Sequence, residues 1–151
     1  MYRVEEFRGD LFKTECDVIG HGVNVKGLMG AGIAKTFAHT YPEMFRQYQH
    51  LCRNEALVPG EAFVYYDRLH EDVVLNIVSQ DKPGRFARLE WIESGTLSAL
   101  EQLEKHFGGA ETIALPKIGC GIGGLSWSTV KKVYESVAQQ KNVHIEVWDI
   151  N

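Results

Sequence analysis

Cysteine is sparse in this chain. There are three in 151 residues, at positions 16, 52 and 120, with no Cys-x-x-C pair. An odd, scattered set supports neither a disulfide framework nor a zinc site, and it fits a reducing compartment. No apolar run is long enough to span a bilayer, and no apolar segment follows a basic N-terminus, so a cytoplasmic protein is expected. Dense Lys/Arg blocks are also missing. With 16 basic and 20 acidic residues the formal net charge is −4. A nucleic-acid binder usually carries a basic stripe, so bulk duplex binding is not expected. The lone histidines 39, 50, 70, 106 and 144 share no metal-ligand spacing, and no metal or cofactor is called for. There is no linker, repeat or low-complexity segment, and the length suits one domain spanning residues 1–151.

Glycine is what the chain has in quantity, and it is concentrated. One stretch reads Gly-His-Gly-Val-Asn-Val-Lys-Gly-Leu-Met-Gly-Ala-Gly-Ile-Ala at 20–34. A second reads Leu-Pro-Lys-Ile-Gly-Cys-Gly-Ile-Gly-Gly-Leu at 115–125. Each follows a run with the look of a buried strand, and each precedes a helical pattern. Glycine permits positive φ and close approach of a ligand to the backbone. A strand, glycines and a helix N-terminus in succession aim N–H groups at one point, which suits a phosphate. Two such loops suggest a diphosphate gripped from both sides.

Periodicity supplies the frame. Strands are expected at 2–7, 17–23, 61–66, 73–78 and 112–115. A last one is marked by Val143, Ile145 and Val147. Helices are expected over 32–39, from Pro42 through Met44, Tyr48 and Leu51, and along the stripe Leu89, Ile92, Thr96, Ala99, Leu103 and Phe107. A final helix is marked by Trp127, Val130, Val133 or Tyr134, and Val137. This alternation implies an α/β fold, a mixed, mostly parallel sheet with helices on both faces. Ligands of such sheets lie beyond the carboxyl ends of the strands, where both glycine loops fall.

The run Arg8-Gly9-Asp10-Leu11, the run His21-Gly22-Val23-Asn24 followed by Met29-Gly30-Ala31-Gly32-Ile33-Ala34, and the run 115–125 together resemble the macrodomain family over essentially the whole chain. Met-Gly-Ala-Gly-Ile-Ala paired with Ile-Gly-Cys-Gly is most similar to one subclass. That subclass contains the terminal ADP-ribose protein glycohydrolase and the antitoxin macrodomains that remove ADP-ribose from DNA. The resemblance implies a three-layer α/β/α sandwich and an ADP-ribose ligand.

It also implies roles. Asp10 accepts a hydrogen bond from the adenine amine, with the Leu11 amide supporting the ring; on the residue alone, the turn after Gly9 is the favoured role of Asp10. Asn24 bonds the distal ribose, or forms an Asx-turn. Gly30, Ala31, Gly32 and Ile33 present N–H groups to the diphosphate and distal ribose. Gly119, Cys120, Gly121, Ile122 and Gly123 close over the phosphates from the other side. Trp148 stacks on the adenine or packs in the core. Cys120 lacks the arginine of a cysteine-phosphatase loop and reads as a small residue in a crowded turn.

The pattern departs from the glycohydrolases at two positions. Their nucleophilic lysine aligns with Gln80, and a shift of two residues offers Lys82. Their aspartate aligns with Gly123. A positioned water, oriented by Asn24 and Gln80, is the expected chemistry, acting on mono-ADP-ribose carried by acidic side chains or on small ADP-ribose derivatives. The alternatives are a non-catalytic ADP-ribose reader and a DNA-ADP-ribose hydrolase. The partner is ADP-ribose or an ADP-ribosylated macromolecule, with no membrane.

Overall fold

The structure is a computed structural model that describes residues 3–150. Six strands form one sheet: β1 Arg3–Arg8, β2 Val18–Val23, β3 Ala62–Asp67, β4 Asp72–Val78, β5 Thr112–Leu115 and β6 His144–Asp149. Four helices accompany it: α1 Gly32–Thr40, α2 Pro42–Arg53, α3 Leu89–Phe107 and α4 Trp127–Lys141. The order across the sheet is β1-β6-β5-β2-β4-β3. The pairs β1 with β6, β6 with β5, β5 with β2 and β2 with β4 are all parallel. Only β3 runs antiparallel, as a hairpin on β4. Five strands therefore end on the same edge.

The strands alternate their side chains between two apolar layers, as the pleat requires. Val18, Leu75, Ile77, Ile113, Leu115, Ile145 and Val147 pack with Ile92, Leu103, Val130, Tyr134 and Val137 of α3 and α4. Ile19, Val23, Val74, Val78 and Ala114 face Phe37 of α1, Met44 and Tyr48 of α2, and Tyr41 between the two helices. Helices thus cover both faces of a mixed, mostly parallel sheet, as expected. Among the described residues, no helix is long and apolar enough to cross a membrane.

Several details differ from the periodicity. β1 is described from Arg3, and Tyr2 lies outside the described residues. β2 opens at Val18, β3 at Ala62 and β6 at His144, each one residue later than the pattern suggests. Phe107 does not complete the α3 stripe. It is the last residue of the helix and 42% exposed, its ring tilted against Tyr66 of β3 with centroids 6.3 Å apart. On α4 the buried residue is Tyr134, fully enclosed, with Val133 only partly covered.

Candidate functional site

Across the carboxyl edge the sheet order sets out a row of loops. At one end, β1 and β6 deliver Asp10 and Trp148. Next stands the loop after β5, then the loop after β2, and at the other end the segment 79–88 that leaves β4.

Asp10 caps a single 3-10 turn, Leu11–Lys13, its Oδ1 accepting from the Phe12 N–H at 3.0 Å. Its carboxylate is otherwise exposed. Leu11 is buried, its carbonyl accepting from the Thr14 N–H at 3.0 Å. Trp148 is half-buried and stacks on Phe7, with centroids 4.8 Å apart, while its Nε1 donates to Glu146. Gly9 leaves just enough room for this ring: an added Cβ would lie 3.4 Å from it. Asp10 and Trp148 therefore share the β1/β6 end of the edge.

Asn24 is buried and almost fully engaged. Its Oδ1 accepts from Lys26 N–H at 2.8 Å and shares the Tyr48 O–H, at 2.9 Å, with the Asn24 main-chain carbonyl at 2.8 Å, and its Nδ2 donates to the Leu28 carbonyl at 2.9 Å. It makes the Asx-turn that shapes the first loop, with one amide hydrogen left over. Burial holds the Tyr48 hydroxyl protonated, well above its usual range. Tyr48 was not singled out by sequence beyond its place on the α2 stripe. Beyond this anchor the first loop turns outward. Added Cβ atoms on Gly30 or Gly32 would meet nothing within 4 Å, and Gly32 has φ +58°. Gly30, Ala31 and Gly32 are exposed and Ile33 is half-buried at the start of α1.

The second loop is built differently. A Cβ on Gly119 would fall within 3.1 Å of Ile92, Ala87 and Leu125. One on Gly123 would fall 2.8 Å from the Ala87 Cβ and from the Gly119 backbone. Only Gly121 faces open space. Ile122 stands 61% exposed beside it. Position 123 has no room for a side chain, since Ala87 fills the space it would take. Cys120 is half-buried, its Sγ donating to the Ile118 carbonyl at 3.6 Å, and burial pushes its thiol up to about 11. A thiol so protonated is a poor nucleophile.

Gln80 does not sit free. Its Nε2 donates to the carbonyls of Lys82 at 2.7 Å and Gly84 at 3.2 Å. Lys82 is exposed, its ammonium 4.3 Å from the Phe86 ring centre. Arg85, which the sequence reading passed over, lies against Gly124: its Cβ, Nε and Cζ are each 3.3 Å from where a Cβ on that glycine would be. Its only advance sign was its place after Gly84.

Beneath the first loop, His21 is fully buried. Its Nε2 meets Asn76 Oδ1 at 2.7 Å and its ring stacks on Phe37 at 3.8 Å. Asn76 Nδ2 donates to the Phe63 carbonyl, so its oxygen accepts and the histidine proton rests on Nε2. Nδ1 has no partner. Burial lowers the His21 pKa to about 4, partly opposed by the Asn76 bond. A separate concavity of about 590 Å³ lies between α2 and the edge strand, lined by Arg46, His50, Leu51, Arg53 and Phe63. It holds none of the glycine-loop backbone.

The macro domain family model matches residues 21–134. The DNA ADP-ribosyl glycohydrolase of Mycobacterium tuberculosis is 30% identical over 135 residues, covering 87% of this chain and 38% of that protein. The ADP-ribose 1″-phosphate phosphatase of Lodderomyces elongisporus is 27% identical, covering 89% of this chain and 92% of that one. The solved macrodomain of Mycobacterium tuberculosis DarG superposes with a TM-score of 0.87 at 26% identity, each chain 98% covered. The chain spans less than half the length of the first curated relatives it matches, 38% to 40%.

Proposed function

This chain belongs to the macro domain family, and from that premise we propose that it binds ADP-ribose across the carboxyl edge of its sheet and hydrolyses the bond from C1″ of the distal ribose to an acidic group. The observation that carries the reading is the open glycine face: Gly30, Gly32 and Gly121 lie bare at adjacent parallel strand ends. A diphosphate laid there meets N–H groups from both loops and the N-terminus of α1. Asp10 and Trp148 wait at one end for the adenine. Asn24 keeps one amide hydrogen for the distal ribose. Two relatives that cover most of this chain, the phosphatase above and a human protein, are named as an ADP-ribose 1″-phosphate phosphatase and an ADP-ribose glycohydrolase.

With no carboxylate at 123 and Gln80 in place of lysine, a positioned water is the chemistry we infer. Positioning and fixed charge lower a barrier without a strong base. An acyl-linked ADP-ribose needs little more, because a carboxylate departs without a proton. We place the activity in the cytoplasm, where three free cysteines stay reduced, with ADP-ribose or an ADP-ribosylated macromolecule as partner. The engagement of Gln80 in its own loop favours a second reading, a reader that holds ADP-ribose without turnover.

Calorimetry with ADP-ribose and AMP tests the grip, and release of free ADP-ribose from Glu-linked, Arg-linked and DNA-linked substrates tests the chemistry. We expect ADP-ribose to bind at least tenfold more tightly than AMP, with release from the Glu-linked substrate. Equal affinities would defeat the two-loop grip. Binding with no release from any substrate leaves the reader.

A further inference from the structure

We propose that Arg85 binds an anionic group carried on C1″ of the distal ribose, and that Gln80 positions it; this rests on the ADP-ribose reading of the cleft. The sheet order gives the direction. With adenine at the β1/β6 end, a ligand that crosses β5 and β2 brings its distal ribose towards β4. There the segment 79–88 stands, and it is a closed loop. Arg88 N–H donates to the Ser79 carbonyl at 3.2 Å, and Phe86 N–H to the Gly84 carbonyl at 2.9 Å. The Gln80 amide ties the carbonyls of Lys82 and Gly84 from inside. Ala87, buried against Gly119 and Gly123, seats the loop on the second glycine turn.

This scaffold lays the Arg85 side chain across Gly124. No hydrogen bond or ion pair joins its guanidinium to another of the described residues. The neighbouring Lys82 ammonium rests over Phe86. In a chain of net charge −4, an unneutralised guanidinium beside a phosphate-type loop is a place for an anion, and its planar fork matches a carboxylate or a phosphate. Gly123 and Gln80 put no carboxylate opposite to repel one.

The chemistry follows. The water oxygen bonds to C1″ as the bond from C1″ to the departing oxygen breaks. The electron pair leaves with that oxygen as a carboxylate or phosphate, and the water proton goes to solvent. Arg85 keeps its proton throughout and pairs with the anion. No general acid is needed, so acid leaving groups are favoured over amines and bases.

Two arms separate the outcomes. Calorimetry compares ADP-ribose with ADP-ribose 1″-phosphate on the parent, Arg85→Ala and Gln80→Ala. Turnover of Glu-linked ADP-ribose compares the parent, Arg85→Ala and Arg85→Lys. We expect the parent to bind the 1″-phosphate at least tenfold more tightly than ADP-ribose. Either alanine variant should erase that preference, bringing its affinities for ADP-ribose and the 1″-phosphate to within about twofold of each other. Turnover should fall about a hundredfold in Arg85→Ala, with partial recovery in Arg85→Lys. A preference that survives Arg85→Ala, or is absent from a parent that binds ADP-ribose, overturns the proposal alone. A parent that turns over nothing but shows the Arg85-dependent preference upholds it and removes the hydrolase reading. A parent that fails to bind ADP-ribose removes both.

Discussion

The two glycine loops carry nearly the same signal in sequence and are opposite in construction. In the loop after β2 the glycines at 30 and 32 face outward, and the loop is shaped by a side chain, Asn24, with its hydrogen bonds to Lys26, Leu28 and Tyr48. In the loop after β5 the glycines at 119 and 123 face inward, and the loop is shaped by packing on Ala87 and Ile92. Their foundations differ too. The first rests on His21, held by one bond to Asn76 with Nδ1 unpartnered. The second rests on Tyr134, whose hydroxyl donates to the Pro116 carbonyl at 2.6 Å and accepts from Ile118 N–H at 3.1 Å. Absence of a Cβ therefore leaves open space at Gly30 and Gly32 and allows close packing at Gly119 and Gly123.

The largest effect should come from filling the open loop. Gly32→Glu places bulk and negative charge where the diphosphate would lie. ADP-ribose affinity should fall at least a thousandfold, about 4 kcal/mol. The fold should survive, since nothing stands within 4 Å of the new Cβ; the strain of φ +58° costs roughly 1 kcal/mol. Calorimetry paired with circular dichroism decides it, and undiminished affinity would take this loop out of the site.

The foundations predict a difference in acid. His21 has a folded pKa of about 4 against an ordinary value of 6.5. Above pH 6.5 both folded and unfolded forms are neutral and nothing is lost. Between 6.5 and 4 the unfolded chain takes a proton that the folded chain refuses, so stability falls with pH. The full loss is about 3 kcal/mol by pH 4. Tyr134, raised by burial, has no transition in that window. Urea midpoints of the parent and His21→Gln, followed from pH 7 to 4, should converge as the pH drops. Parallel profiles would show that His21 is not the source.

Much of this architecture was legible in the chain. The strands and helices followed from periodicity, because burial on a sheet or helix face repeats at a fixed interval. The position of both loops followed from the ends of those strands. What periodicity does not carry is contact between segments far apart in sequence. Whether Gly123 or Gly121 faces space depends on Ala87, more than thirty positions earlier. The same holds for Arg85 on Gly124 and for Tyr48 on Asn24. The choice at Asn24 between ribose and Asx-turn was open in sequence because both use the same amide. Gln80 aligned with a nucleophile, yet its bonds to Lys82 and Gly84 arise from a turn whose shape no pattern announces. Phe107 keeps the period of its helix, yet as the helix's last residue it is left half in solvent.

The smallest of these effects is the most direct test of the contrast, and it uses two neighbouring glycines. Gly123→Ala and Gly121→Ala add the same methyl group two residues apart. At 123 the new carbon lies 2.8 Å from the Ala87 Cβ and from the Gly119 backbone, none of which is a flexible side-chain end. Overpacking of this kind costs roughly 1–3 kcal/mol, so the stability of Gly123→Ala should drop by about 2 kcal/mol. At 121 the new carbon meets nothing, and stability should stay within about 0.5 kcal/mol of the parent. ADP-ribose affinity should show the reverse emphasis in Gly121→Ala, falling several-fold with the fold intact, because that methyl stands where a ligand would approach. Urea denaturation with calorimetry on both variants gives the answer. Equal stabilities would mean that the second loop is as open as the first, and that Ala87 does not set the shape of the turn on which Arg85 lies.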